Sequence, residues 1–347
     1  MKENMRKVCY YSEQIDKEIF NLNNPVINRD NCMYSVSILQ KEFEKYGYDF
    51  STQEKNRRDD SDIVLYLEMP KILPRESDIH KSYLLLYETE IIRPDNWILS
   101  YHKKFNKIFT WRDDFVDNKR YFKINWSHFI PNSIGVTGRN RHKMCTLIAG
   151  NKSSSHPLEL YSKRKEAIRW FERNHPEDFD LFGMNWKNNI FIKKMAHFQN
   201  MKNLTNILNY VFGYFPSYRG KIASKKEILQ GYKFCICYEN ARDIPGYITE
   251  KIFDCFFSGC VPIYLGANNV SDHIPNNTFI DRREFLSYEE LYQYIRFMPE
   301  NEYENYLQNI ADFLRSDQII PFSAEYFAKT VVEQIVLDSK TNVVIHG

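Results

Sequence analysis

Tyr247-Ile248-Thr249-Glu250-Lys251 places a phenol, a hydroxyl, a carboxylate and an ammonium where the apolar pattern begins a helix that runs to about Ser258. Upstream, Tyr232–Tyr238 is a short apolar, aromatic run suited to a buried strand, and Glu239-Asn240 opens the polar loop after it. Gly259 stops the helix, and Val261–Leu265 reads as a second buried strand. Charged groups at a strand end and a helix start lie where α/β proteins hold ligands. Lys251 is the informative one. Unpaired N–H groups and the macrodipole make a helix start attractive to anions, so a lysine there costs some helix stability. A phosphate ligand would resolve that conflict. Glu250 is the residue the dipole prefers and reads equally as a plain helix-start carboxylate. Thr249 suits an N-cap, and Tyr247 suits a core.

Arg164 stands near the start of another helix, after the strand Met144–Ala149 and the loop Gly150–Pro157. The run Lys163-Arg164-Lys165 reads either as a solvated face or as a second cation at a strand's carboxyl edge. Two cations meeting one anion would each contribute up to ~4 kcal/mol of Coulomb energy at ~4 Å and an effective dielectric of ~20. Tyr83–Tyr87 runs straight into Glu88-Thr89-Glu90. A carboxylate closing a buried strand can serve as a general base, because apolar walls raise its pKa toward working pH. Loop surface is the competing reading for Glu88 and Glu90.

Asp60-Ser61-Asp62 imitates a DxD metal motif, but Arg57 and Arg58 precede it and Asp62 abuts the amino end of the strand Ile63–Leu67, the wrong edge for a site. The nine histidines show no HExxH spacing, so a zinc centre has no support. GxGxxG, GxxxxGK[ST] and GxSxG are all absent.

The elements that must position these groups alternate along the chain. Arg6–Ser12, Ile63–Leu67, Tyr83–Tyr87, Lys107–Trp111 and Tyr121–Trp126 read as strands, with a helical stripe over Cys32–Tyr46. Continuous apolar runs mark strands covered on both faces, so the expected sheet is parallel and helix-covered. Pro131–Lys143, poor in apolar residues and basic, is the candidate linker. Beyond it the alternation restarts: a helix over Leu158–Asn174, a strand near Phe179–Gly183, a short helix over Ser224–Gln230, a last strand at Thr278–Asp281, and helices over Tyr288–Phe297, Glu302–Ser316 and Ala324–Asp338.

A chain of 347 residues is long for one core and suggests two domains. The 43% apolar and 16% aromatic content fits a globular enzyme. A net charge of +2 gives no general reason to expect nucleic acid or an anionic membrane. No apolar run reaches the ~18 residues of a membrane span, and the start MKENMRK leads into a strand-like run rather than a signal segment. Seven cysteines without a CxxC pair suit reduced, buried thiols and a cytoplasmic setting.

Tyr238-Glu239-Asn240, then Tyr247-Ile248-Thr249-Glu250-Lys251, then Val261-Pro262-Ile263-Tyr264-Leu265-Gly266 resemble the signature of the α-1,3/1,4-fucosyltransferases. Pro275 and Thr278-Phe279-Ile280-Asp281 extend the resemblance to about fifty residues. It implies a GT-B fold, with two Rossmann-like domains facing across a cleft. Residues 1–135 would form the acceptor-side domain and 136–322 the GDP-fucose-binding domain, and 323–347 a helix returning to the first. It also implies inverting transfer with no cofactor and no obligatory metal. By position, Lys251 and Arg164 match diphosphate-binding cations. Glu250 and Tyr247 match nucleotide contacts, and Asn240 and Glu239 line the donor site. Glu88 falls where the family places its base, although the family's following proline is absent and Glu90 is the alternative.

The expected reaction moves fucose from GDP-fucose to a glycan hydroxyl, O3 of GlcNAc or a related residue, in protein glycosylation or in a surface polysaccharide or lipopolysaccharide. Peripheral contact with the inner membrane would be compatible with that acceptor. Two other readings stay open: a GT-B transferase with another nucleotide sugar, and a nucleotide- or glycan-binding protein without catalysis. Nucleic-acid binding at Arg139–Lys143 or Arg219–Lys226 lacks interleaved aromatics.

Overall fold

The computed structural model describes residues 5–13, 18–132, 141, 143–187 and 213–345. Most of the proposed linker, residues 133–140 and 142, lies outside them. The chain divides into two compact units, each built on a six-stranded sheet in which every pairing is parallel.

The first unit comprises Met1–Ile130, Ile244–Glu250 and Ser316–Gly347. Its strands are β1 (Arg6–Tyr11), β2 (Tyr48–Thr52), β3 (Ile63–Leu67), β4 (Ser82–Leu86), β5 (Lys107–Thr110) and β6 (Tyr121–Lys123), in the order β2-β1-β3-β4-β5-β6. β3 and β4 are buried almost throughout, which is why their sequences run apolar without alternation. β2 was not expected: YDFST mixes polar and aromatic residues, and the strand sits at the sheet edge. The order reverses between β1 and β3, so the carboxyl ends of those strands form the unit's switch point.

One face of this sheet is closed by the helices Tyr34–Lys45 and Ala324–Ile345. Leu39 and Phe43 of the first pack in one core with Phe327, Val331, Val332 and Ile335 of the second. Each such fully buried side chain contributes about 1.5–3 kcal/mol. Asp338 locks the long helix to the strands, 2.8 Å from Lys107 Nζ and accepting at 3.3 Å from the Tyr83 hydroxyl.

The unit boundaries differ from those expected, the first stretch ending at Ile130. The return to the first unit begins at Ser316, before residue 323, and Ile244–Glu250 belongs to the first unit and not the second. Packing explains the last of these differences. The Asp113 N–H donates to the Pro245 carbonyl at 3.3 Å, and the Tyr247 ring lies 4.7 Å from Trp111 and 5.9 Å from Trp126. Gly246 makes this approach possible: its φ is +80°, and a Cβ there would run into the Trp111 carbonyl and come within 2.8 Å of Lys123 Nζ.

The second unit comprises Pro131–Asp243 and Lys251–Arg315. Its strands are β7 (Lys143–Ile148), β8 (Phe179–Phe182), β9 (Tyr218–Gly220), β10 (Tyr232–Tyr238), β11 (Val261–Leu265) and β12 (Ile280–Asp281), ordered β12-β11-β10-β7-β8-β9. Three-residue β9, at the edge, also escaped sequence reading. The order reverses between β7 and β10, making their carboxyl ends the switch point of this unit. Because the strand order runs one way from β7 to β8 and the other way from β10 to β11, the right-handed rule for parallel crossovers assigns the Tyr161–Asn174 and Glu250–Ser258 helices to opposite faces.

Candidate functional site

Two loops leave the switch point of the second unit and knit together. Leu160 N–H donates to the Asn240 carbonyl at 3.0 Å, Arg242 N–H donates to the Leu158 carbonyl at 2.9 Å, and Glu159 bridges Ala241 in antiparallel fashion. This pairing sets the start of the Tyr161–Asn174 helix beside the end of β10. Arg164, in the first turn and 5% exposed, then forks onto that strand end. Its Nε and Nη2 donate to the Tyr238 carbonyl at 3.2 and 2.7 Å, and Nη2 also donates to Asn240 Oδ1 at 3.0 Å. Lys163, its neighbour, instead pairs with Glu166 at 2.7 Å on an exposed face. The basic run therefore contains both alternatives read from it, one residue apart.

Lys251 lies in the first turn of the Glu250–Ser258 helix, as expected. Its Nζ is 3.0 Å from Oε2 of Glu239, a carboxylate with no solvent exposure. The cost of a lysine at a helix start is thus offset by a buried acid before any phosphate is considered. Glu239 was grouped with the donor-lining residues; its carboxylate pairs with Lys251. Gly266 allows the arrangement, since a Cβ there would fall 2.5 Å from Glu239 Cγ.

Arg164, Lys251, Cys237, Tyr238, Lys225 and Asp254 border a cavity of about 30 Å³, room for roughly one water. Lys225 and Asp254, paired at 2.7 Å, were not singled out in the sequence. Ser224, whose Oγ accepts from Glu227 N–H as an N-cap, was the readable signal that Lys225 starts a helix. Asn240 and Glu250 are half-buried. Tyr247 is 1% exposed with its ring against Trp111 and Trp126 in the first unit, the core packing its sequence context also suited.

In the first unit, Glu88 follows the end of β4 and is half-buried, and Glu90 lies two residues on. The backbone of Glu88 is held from several sides. Its N–H donates to Glu68 Oε1 at 3.0 Å, and its carbonyl accepts from Asn96 Nδ2 at 3.2 Å and Trp97 Nε1 at 3.1 Å. Tyr87 is held likewise, its N–H on Glu68 at 3.3 Å and its carbonyl accepting from Trp111 Nε1 at 2.7 Å.

Glu68 is the residue that sequence reading missed, although it carries the same signal as Glu88, a carboxylate directly after an apolar strand. It is buried at the carboxyl end of β3 with φ +65°, a left-handed conformation that costs a non-glycine residue about 1–2 kcal/mol. Burial pushes its carboxyl up to about 7. The Glu88 charge adds to that rise, while Asn96, the Glu88 N–H and Arg93 pull the other way.

The discounted Asp60-Ser61-Asp62 segment is occupied structurally: Asp62 accepts from the Lys7 N–H at 2.7 Å, and Asp60 lies 3.9 Å from Arg57.

Two parallel-sheet α/β units, with cations at the switch point of the second, make up a GT-B fold. Residues 181–318 match the family model described as glycosyltransferase family 10 (fucosyltransferase) C-term. The matched stretch contains Glu239, Asn240, Tyr247, Glu250 and Lys251, while Glu88 and Arg164 lie outside it.

The alpha-(1,3)-fucosyltransferase FucT of Helicobacter pylori is 32% identical over 120 residues, which is 32% of this chain and 25% of the relative. This chain thus spans only about a quarter of that protein's length. Crystal structures of an alpha1,3-fucosyltransferase share the fold. The one with GDP has a TM-score of 0.54 at 17% identity, covering 98% of this chain and 91% of the other. The one with GDP-fucose has a TM-score of 0.52 at 18% identity, covering 98% and 92%.

Proposed function

We propose that the chain is an inverting fucosyltransferase that moves fucose from GDP-fucose to a hydroxyl of a glycan, O3 of GlcNAc or a related residue. One observation carries the reading: Lys251, in the family-matched region, and Arg164 border the same cavity beside the carboxyl end of β10. The relative is named for alpha-1,3 transfer, and the solved alpha1,3-fucosyltransferase structures hold GDP or GDP-fucose, which supports the donor and linkage class.

Charge dictates the mechanism. As the fucose–phosphate bond breaks, the sugar becomes oxocarbenium-like and the bond's electron pair passes to the diphosphate. Arg164, fixed through Nε and Nη2 on the Tyr238 carbonyl and Asn240 Oδ1, offers its delocalised positive charge to the phosphates, Lys251 a point charge, and the helix start beside it further N–H groups. With those donors in place, the reaction needs no divalent metal. Removing one such donor typically costs ~10²–10³ in rate. We assign the acceptor hydroxyl's proton to Glu88; attack from the face opposite the leaving diphosphate inverts the anomeric centre and yields GDP and the fucoside. General-base assistance of this kind is worth ~10²–10⁴.

The acceptor class we favour is a surface polysaccharide or lipopolysaccharide made in the cytoplasm, with peripheral membrane contact. Six of the seven cysteines are buried free thiols, which suits a reducing compartment. Among the described residues no helix is long and apolar enough to cross a membrane.

A donor panel tests the reading. GDP-fucose, GDP-mannose and UDP-glucose would each be incubated with N-acetyllactosamine, with and without EDTA, and nucleotide release followed. The reading expects release from GDP-fucose alone, undiminished by EDTA. Release from UDP-glucose but not GDP-fucose would overturn the donor, and loss of activity in EDTA would overturn metal independence.

A further inference from the structure

We infer that Glu68 is the positioning residue of the proposed base, holding the backbone of Tyr87 and Glu88 so that the Glu88 side chain leaves the sheet in one direction. The inference rests on the reading of Glu88 as that base.

The geometry begins with the β3–β4 register. Leu67 pairs with Leu85, and the Glu68 N–H donates to the Leu85 carbonyl at 2.9 Å. The left-handed backbone of Glu68 then turns its side chain back across the end of the neighbouring strand. There its carboxylate accepts from the N–H groups of Tyr87 and Glu88 and from Asn96 Nδ2. Asn96 closes the ring: its Nδ2 also reaches the Glu88 carbonyl, its Oδ1 accepts from Met69 N–H at 2.9 Å, and its own carbonyl meets His102 Nε2 at 2.7 Å. A strained, buried acid serves here to fix two consecutive peptide groups, and those groups carry the proposed base. Strain held by its surroundings at a strand end is characteristic of functional sites.

The clamp depends on ionisation. Every polar neighbour that Glu68 meets in it is a donor, so a proton on the carboxyl would set a donor against donors. Those donors favour the ionised form, while burial and the Glu88 charge favour the neutral one, and the balance falls at about 7. The other groups facing it are Arg93, which favours ionisation, and the phenols of Tyr10 and Tyr87, both raised by burial and therefore neutral in this range. Below about 7 the clamp loosens, and Glu88 loses its fixed direction.

The test compares Glu68→Gln, Glu68→Ala and Glu88→Gln by steady-state kinetics from pH 5.5 to 8.5 and by amide exchange of Tyr87 and Glu88. Glu68→Gln is expected to lower kcat roughly tenfold or more, to leave KM for GDP-fucose unchanged, and to remove the inflection near 7 from the kcat profile. Glu68→Ala should also speed exchange of both amides. Glu68 variants with wild-type kcat, pH profile and exchange, alongside an inactive Glu88→Gln, would overturn this inference alone. An active Glu88→Gln would overturn the base assignment instead, and the exchange data would still report whether Glu68 holds the strand end.

Discussion

Lys251 and Glu239 form an ion pair of 3.0 Å in which the carboxylate is wholly shielded from water. The pair joins the end of β10 to the start of the helix that follows it. The lysine is therefore held in place by the protein and is not simply waiting for an anion. Breaking a buried pair from one side leaves an uncompensated charge. Glu239→Ala should destabilise the fold by about 3–5 kcal/mol in urea unfolding. A change below about 1 kcal/mol, the range of an exposed pair, would show that the contact carries little.

Arg164 is not replaceable by lysine. Its fork makes three contacts, on the Tyr238 carbonyl and Asn240 Oδ1, and an ammonium cannot span them. Arg164→Lys should lower kcat/KM for GDP-fucose by roughly 10², with GDP binding by calorimetry weakened in parallel. Unaltered kinetics would mean that charge alone suffices there.

Gly266 tests the same site from behind. An alanine Cβ would lie 2.5 Å from Glu239 Cγ and 2.8 Å from the Tyr264 ring. Gly266→Ala should cost about 1–3 kcal/mol through overpacking, and by displacing Glu239 it should also weaken GDP binding. Lost stability with unaltered GDP affinity would separate the packing from the cation.

Glu68 makes stability depend on pH. Its folded value of about 7 exceeds the ordinary value of 4.5, so between those limits the folded state holds more proton than the unfolded chain. The stability this contributes is fully present below about 4.5 and is lost as pH rises to about 7. The size is about 3 kcal/mol. Urea midpoints from pH 4.5 to 8 should show that fall in the wild type and not in Glu68→Gln. Parallel curves for the two proteins would contradict the shift.

Much of this was legible in the sequence for identifiable reasons. β3, β4, β10 and β11 were readable because parallel strands buried on both faces leave continuous apolar runs. The edge strands β2 and β9 were not, since Tyr48–Thr52 alternates polar with aromatic residues and Tyr218–Gly220 spans only one exposed turn of pattern. Lys251 stood out because its charge opposes the dipole of its helix. Arg164 was ambiguous because sequence cannot say which of three adjacent basic residues turns inward. Glu68 shows in the sequence only what Glu88 shows, a carboxylate after an apolar strand; its role depends on strand register and a left-handed backbone, which residue types do not display.

Proton NMR of the product most directly tests the central claim. Wild-type protein, GDP-fucose and N-acetyllactosamine should give GDP and a fucoside whose anomeric configuration is opposite to that of the donor, with Lys251→Ala slower by ~10²–10³ and still folded. A product that retains the donor's configuration, or Lys251→Ala with full activity, would contradict the account.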